Sequence, residues 1–258
     1  MSKRFKGKTC PYCARAGVST APDHVFAREF FPKDKRNNLP QVPACDACNG
    51  DKSTLEHYLT AVLPFGGRHA DSGHVLAVMA PPRLEKNRKL RGDLARGVTD
   101  RLEDVGGLMV PTMAVPFDIG KLERLCGLIA RGLALFHFGA VIPADCHVHA
   151  GAVTPDGERA LTDTLLSLHG NRVIKSIGDS AFEYEGLQSI AGPHLTVWRF
   201  KIYGGIQLTG DPQAPDVLAN TVWVTTSKSA GLGELFGRPV SCHVAPLTED
   251  GNGGVPNG

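Results

Sequence analysis

Apolar residues recur at intervals of three and four positions in two stretches of the chain, the spacing that places side chains on one face of a helix. The first stretch follows Asn49 and contains Leu55, Tyr58, Leu59, Val62 and Leu63. Pro64 and the glycines at 66 and 67 end it, because proline and glycine interrupt helices. The second stretch follows Asp118, a favourable N-cap, and contains Leu122, Leu125, Cys126, Leu128, Ile129, Leu133 and Phe136. Both are predicted to be helices, and the second is apolar around enough of its circumference to lie in a core.

The pattern changes to a period of two towards the C-terminus. Residues 196–208 and 221–226 are rich in β-branched and aromatic side chains, which predicts two strands. The Asp-Pro and Pro-Asp steps at 211–216 predict the turn between them. A further helix is predicted at 158–168, so the second half of the chain is expected to be α+β.

The middle of the chain is more polar. Residues 66–74 contain glycine, histidine and serine and predict a linker or mobile loop. Residues 83–104 alternate basic and acidic side chains, which predicts a solvated helix, with contact to a DNA backbone as the alternative.

Two Cys-x-x-Cys pairs supply the first candidate chemistry: Cys10 with Cys13, and Cys45 with Cys48. Four thiolates with this spacing can surround one zinc ion, since each pair forms a tight knuckle that presents both sulfurs. The four cysteines therefore predict a structural zinc site. The interval between the knuckles is longer than in a simple zinc ribbon and contains an Asp-His dipeptide.

The N-terminal part of the chain resembles the zinc-containing ββα-metal members of the HNH endonuclease family. The resemblance lies in an ordered series: the first Cys pair, Asp23-His24, Asn38, and the second Cys pair followed by Asn49. The resemblance covers roughly residues 8–60. It implies a β-hairpin that carries Asp-His, a loop that carries the middle Asn, and a helix after the second Cys pair. The last signature position is often histidine, so the chain has an H-N-N pattern, which active members also use. Asn37 and His57 are the alternatives to Asn38 and Asn49.

The chain is predicted to be α+β, with a zinc-stapled ββα-metal module, which the resemblance implies, followed by an α+β accessory domain, which the patterns of the second half predict. The module occupies residues 1–63, a linker and charged helical segment 64–116, the accessory domain 117–248 and a disordered tail 249–258. A role for the accessory domain in sensing or regulation is one possibility that the sequence leaves open.

The resemblance also implies a mechanism for cleaving phosphodiesters. His24 would be the general base, because a neutral imidazole can accept a proton from water near pH 7. Asp23 and Asn49 offer the oxygen ligands that Mg²⁺ or Mn²⁺ prefers, and Asn38 would orient the His24 ring. Lys52, at i+3 from Asn49, could reach the phosphate, and the products would carry 5′-phosphate and 3′-hydroxyl ends.

Each of these residues also has a plainer interpretation. An isolated Asp-His can be a solvated turn, Asn49 can cap a helix, and the polar run Lys33, Lys35 and Arg36 can be a surface loop instead of a substrate-binding one. A non-catalytic zinc module that binds nucleic acid is therefore the alternative function. Charge favours a nucleic-acid partner, because residues 1–60 carry ten basic and six acidic side chains, whereas the whole chain has a net charge of +2. The resemblance implies that this partner is double-stranded DNA.

The remaining motifs carry weaker signals. Cys126, Cys146 and Cys242 are predicted to be buried thiols in a reducing cytosol. His147 and His149 have His-x-His spacing, which metal sites use, although a packed or surface pair is commoner. Tyr184, Trp198 and Trp223 could stack on nucleobases, although core packing is favoured. The sequence shows no signal peptide and no apolar run of ~18 residues, so a cytoplasmic protein with no membrane partner is expected, and its oligomeric state stays open.

Overall fold

The computed structural model describes residues 4–153, 155–206 and 221–236. Its N-terminal part has the order strand, strand, helix. Strands β1 (Ala21–His24) and β2 (Gln41–Ala44) pair antiparallel, and helix α1 (Asp46–Val62) follows directly. Two short 3₁₀ turns, Arg28–Phe30 and Lys33–Lys35, lie in the connection between the strands. The helix predicted after Asn49 is confirmed, but it begins earlier, so Cys45 is its N-cap and Cys48 lies in its first turn.

The middle of the chain differs from the prediction in two places. The expected loop at 66–74 contains helix α2 (Ala70–His74), because the side chain of His69 caps it by accepting from the Asp71 N–H. A π-helical turn (Val75–Met79) and helix α3 (Ala80–Lys86) continue from it.

The single helix expected at 83–104 is wrong. Asn87 separates α3 from helix α4 (Arg88–Gly97), since its side chain accepts from the Leu90 N–H and starts a new helix. Strand β3 (Thr99–Val105) then pairs antiparallel with β4 (Leu108–Ala114). The turn is made by Gly106 and Gly107, whose φ angles of 65° and 88° suit glycine.

The C-terminal part contains one long helix and one sheet. Helix α5 (Ile119–Phe138) is capped by the Asp118 side chain and confirms the predicted core helix. The sheet has the order β5-β9-β8-β7-β6, with every neighbouring pair antiparallel. Its strands, with the helix that lies between the first two along the chain, are β5 (His147–Ala152), α6 (Pro155–Ser167), β6 (Gly170–Ile177), β7 (Phe182–Ser189), β8 (Thr196–Ile202) and β9 (Val222–Ser227).

The predicted helix at 158–168 and the two predicted strands correspond to α6, β8 and β9, whereas β5, β6 and β7 were not foreseen. Strand β8 ends at Ile202, because Tyr203 has a φ of 50° that no strand residue adopts. The predicted turn at 211–216 and the predicted tail at 249–258 lie outside the described residues.

The strand–strand–helix segment and the C-terminal sheet share one hydrophobic core. Aromatic rings that follow β1 pack on Phe182 of β7, with centroid distances of 4.9 Å from Phe26, 5.6 Å from Phe30 and 6.1 Å from Phe31. The Tyr203 hydroxyl donates to the Phe30 carbonyl at 2.7 Å. The sheet therefore fixes the chain immediately after His24. None of the helices in the described ranges has the length and apolar character needed to cross a membrane.

Candidate functional site

The four cysteines of the two knuckles converge. Their sulfurs all lie within 4.8 Å of one another, and Cys13 Sγ is 4.0 Å from Cys45 Sγ. A tetrahedral zinc ion with Zn–S bonds of about 2.3 Å separates its sulfurs by about 3.8 Å, so the cluster fits a metal such as zinc after a small contraction. Within the described residues this is the one group of three or more metal-ligating side chains, and no third ligand joins His147 and His149.

Local backbone structure explains why both knuckles present their sulfurs. In the first, the Ala14 N–H donates to the Cys10 carbonyl at 2.8 Å, and Ala14 takes the left-handed φ of 60° that closes the turn. In the second, Cys45 and Cys48 occupy the N-terminus of α1. Helix N-termini stabilise negative charge, so this knuckle is suited to hold thiolates.

The sulfurs interact with one another and with two nearby arginines, and burial raises the pKa of Cys45. A hydrogen bond from Cys48 lowers the pKa of Cys10 to about 5, and the same contact raises the pKa of Cys48. Four thiolates around Zn²⁺ leave a doubly negative group, which needs nearby positive charge. Arg15 hydrogen-bonds Cys13, which raises the pKa of Arg15. Burial lowers the pKa of Arg131, while its electrostatic interactions with Cys13 and Cys48 act in the opposite direction.

Next to the first knuckle lies a buried charge cluster centred on Lys52, whose side chain is 0% exposed. Its ammonium donates to the His24 carbonyl at 2.8 Å and pairs with Asp23 Oδ2 at 3.0 Å and with Glu56. Tyr12 donates its hydroxyl to the same Oδ2 at 2.5 Å. An ammonium has three N–H donors, so Lys52 is saturated. The structure thus contradicts the predicted phosphate contact of Lys52: this residue joins α1 to β1.

His24 is half-buried at the end of β1. Burial lowers its pKa, and the cation of Arg28 lowers it further, so the imidazole is neutral at pH 7. Its Nε2 lies 2.8 Å from Nε2 of Gln41, the residue directly opposite on β2. Asn38, predicted to orient this ring, is instead exposed in a left-handed turn with a φ of 59°. The side chain of Gln41 contacts the ring instead, and only the pairing register of β1 with β2 could have indicated this contact.

The other predicted substrate-binding cations divide into two groups. Lys35 is paired with Asp71 at 2.8 Å and Asp179 at 3.1 Å, and the Arg36 Nε–H donates to the Phe31 carbonyl at 3.0 Å. Both therefore bind the protein itself, while Lys33 is exposed. Arg28, which the sequence reasoning missed, is exposed and close to His24. Its position four residues after His24 is the signal that could have indicated it.

Asp23 and Asn49 are the predicted ligands of the catalytic ion. Asp23 is 9% exposed, and both of its partners described above bind Oδ2, so a cation would bind through Oδ1. Asn49 is half-buried and lies one turn before Lys52 on α1, so helical periodicity places the two on the same side of the helix, whereas His57 is exposed. One carboxylate oxygen and one amide oxygen fit Mg²⁺, which usually keeps several waters and takes its remaining ligands from substrate phosphate.

The remaining candidates are explained by packing. Tyr184, Trp198 and Trp223 are at most 3% exposed, so they belong to the core and are closed to nucleobases. Cys126 and Cys146 are buried as predicted, and Cys242 lies outside the described residues. No family model, no curated protein and no solved structure matches this chain. Conclusions about function therefore depend on the geometry of the site.

The four-sulfur cluster makes a first prediction. We expect the chain to bind a single Co²⁺ ion with the absorption bands of tetrahedral sulfur coordination, and Cys45→Ser to lose them because one of four thiolates is gone. Cys126→Ala, which removes a buried thiol outside the cluster, should bind cobalt like the parent. A Cys45→Ser protein with an unchanged cobalt spectrum would contradict the cluster as a metal site.

The buried cluster makes a second prediction. Lys52→Met leaves Asp23 and Glu56 in the interior without their cation, so the free energy of unfolding should fall by about 3–5 kcal/mol in urea titrations. Lys33→Met, at an exposed position, should change it by less than about 0.5 kcal/mol. Equal effects of the two substitutions would show that Lys52 is solvated.

Proposed function

We propose that the chain is a metal-dependent endonuclease of the HNH type that hydrolyses phosphodiester bonds in double-stranded DNA. The observation that carries the proposal is that Lys52 of α1 binds both the His24 carbonyl and Asp23, which brings a half-buried histidine at the end of β1 to the part of α1 where Asn49 lies one turn earlier. The strand–strand–helix order, closed by the four cysteines, agrees with the arrangement that the sequence resemblance implies.

His24 is the general base of this proposal. Its lowered pKa keeps the ring neutral at pH 7, and a neutral ring has one lone pair. The Gln41 amide nitrogen donates to that lone pair at Nε2, so water must displace Gln41 before the ring acts as the base. The ring takes a proton from water, the water oxygen bonds to phosphorus, the bond from phosphorus to the 3′ oxygen breaks, and a second water molecule protonates the departing oxygen. The products carry a 5′-phosphate and a 3′-hydroxyl.

Asp23 and Asn49 would hold one Mg²⁺ or Mn²⁺ ion. Such an ion supplies positive charge to the phosphate oxygens and to the leaving oxygen as the bond breaks. Lys52 acts indirectly in this proposal: its ammonium holds Asp23 Oδ2 and the His24 carbonyl, so that both residues keep a fixed orientation. Arg28 is the exposed cation best placed to meet the phosphate beside His24.

One specific observation favours a second candidate, a non-catalytic zinc module that binds nucleic acid. Asp23 already has a cation at 3.0 Å, the ammonium of Lys52, and a hydroxyl donor at 2.5 Å. A carboxylate neutralised in this way attracts a second cation less strongly. In this candidate the Lys52 cluster is purely structural, and the exposed basic residues supply the binding.

Cleavage of supercoiled plasmid in Mg²⁺ or Mn²⁺ separates the candidates. We expect the parent to cut and His24→Ala to be slower by at least about 100-fold, since a general base contributes that much to a rate, with zinc still bound at the parent's stoichiometry. The matched control is His57→Ala, an exposed histidine on α1 that should leave the rate unchanged.

Two other outcomes have definite meanings. If His24→Ala cuts as fast as the parent, the assigned base is wrong. If neither protein cuts in any divalent metal but the parent binds DNA with strong salt dependence, the second candidate is correct.

A further inference from the structure

We propose that helix α4 is a docking surface for the sugar–phosphate backbone of nucleic acid, and that its occupant is a duplex that also reaches His24. The basic face of α4 is formed by four residues: Arg88, Lys89, Arg91 and Arg96. The inference rests on the proposed function in taking nucleic acid as the partner, but it does not require cleavage.

Charge on α4 is concentrated and accessible. Its ten residues include four basic side chains and one acid, and all four basic side chains are exposed. The acid, Asp93, pairs with Arg96, which leaves Arg88, Lys89 and Arg91 as cations directed at solvent. These three cations lie within one helical turn and have no ion pair in the described part of the chain, so they can meet the negative charge of a nucleic-acid backbone.

The orientation of α4 is fixed by packing. Leu94 is buried and Leu90 is half-buried, and both pack in a small core with Ala61 and Val62 at the end of α1. The Asn87 side chain caps the first turn of α4. Leu90 and Leu94 thus face α1, so the basic residues on the opposite side of α4 are exposed to solvent.

The same packing attaches α4 to the candidate active site. Arg83 of α3 donates to the Thr60 carbonyl at the end of α1 and to the Glu29 carbonyl, each at 3.2 Å. Glu29 is adjacent to Arg28, the exposed cation beside His24. This chain of contacts therefore connects α4 with Arg28 and His24.

The separation of these groups indicates the size of the partner. The His24 carbonyl oxygen lies 2.8 Å from the ammonium nitrogen of Lys52 on α1. Helix α4 packs against residues 61–62 of the same helix. Nine or ten helical residues span about 14 Å, which corresponds to roughly four base pairs of duplex. A single bound nucleotide could not contact both places, whereas a duplex of one helical turn could.

Binding measured without a chelator and without added Mg²⁺ or Mn²⁺, where a divalent-metal nuclease has no ion to cut with, tests the surface separately from catalysis and leaves structural zinc in place. The probe is a fluorescent 20-base-pair duplex titrated at several salt concentrations. We expect the triple variant R88Q/K89Q/R91Q to lower the slope of log K against log salt by about 2.7, because each lost phosphate contact removes about 0.9.

The matched control removes the same formal charge from the exposed residues Arg124, Lys175 and Lys228, which lie on α5, on β6 and just after β9. This R124Q/K175Q/K228Q variant should keep the parent's slope. An unchanged slope for the α4 variant, an equal loss in the control, or no binding by the parent would overturn the docking surface. Binding that depends on α4 without plasmid cleavage would support the surface and contradict the nuclease.

Discussion

The convergence of four sulfurs determines how the N-terminal quarter of the chain is arranged. Cys10 and Cys13 belong to a turn before β1, while Cys45 and Cys48 begin α1, so a metal bound among them closes a loop that contains both strands. Closing the loop brings β1 against α1, where Lys52 meets Asp23 and the His24 carbonyl. The charge cluster and the His24 ring lie inside that loop, whose ends are also held by the pairing of β1 with β2 and by the Thr20 N–H, which donates to the Ala44 carbonyl at 2.9 Å.

The second constraint is the shared core. A short two-stranded ribbon and one helix bury too little apolar surface to be stable alone. Here the rings that follow β1 pack on Phe182. Val25 packs closely on α5 because Gly132 has no side chain: a Cβ atom on Gly132 would lie only 3.1 Å from a methyl carbon of Val25. The five-stranded sheet and α5 therefore supply the hydrophobic support that the segment lacks. In the proposed function this support holds the His24 backbone in place. A mobile general base would lower the rate of cleavage, because it would have to be ordered in each turnover.

Sequence reasoning succeeded where the signal is local. Two Cys-x-x-Cys pairs indicate a metal cluster whatever the fold, and the helices α1 and α5 follow from a spacing that can be counted along the chain. It failed where the outcome depends on distant residues. Lys52 resembles any exposed helical lysine until β1 places Asp23 beside it, and Gln41 reaches His24 only through the strand register. Strand β6 is mostly exposed, so it has no apolar alternation to detect.

We infer that one zinc ion with four cysteine ligands organises the strand–strand–helix segment. X-ray absorption at the zinc edge, recorded on protein purified without added metal, would show the ligands of that ion. We expect zinc in the sample and a first shell of four sulfur atoms at about 2.3 Å, with no nitrogen or oxygen neighbour. A mixed shell that contains nitrogen or oxygen ligands, or a folded protein that contains no zinc, would contradict it.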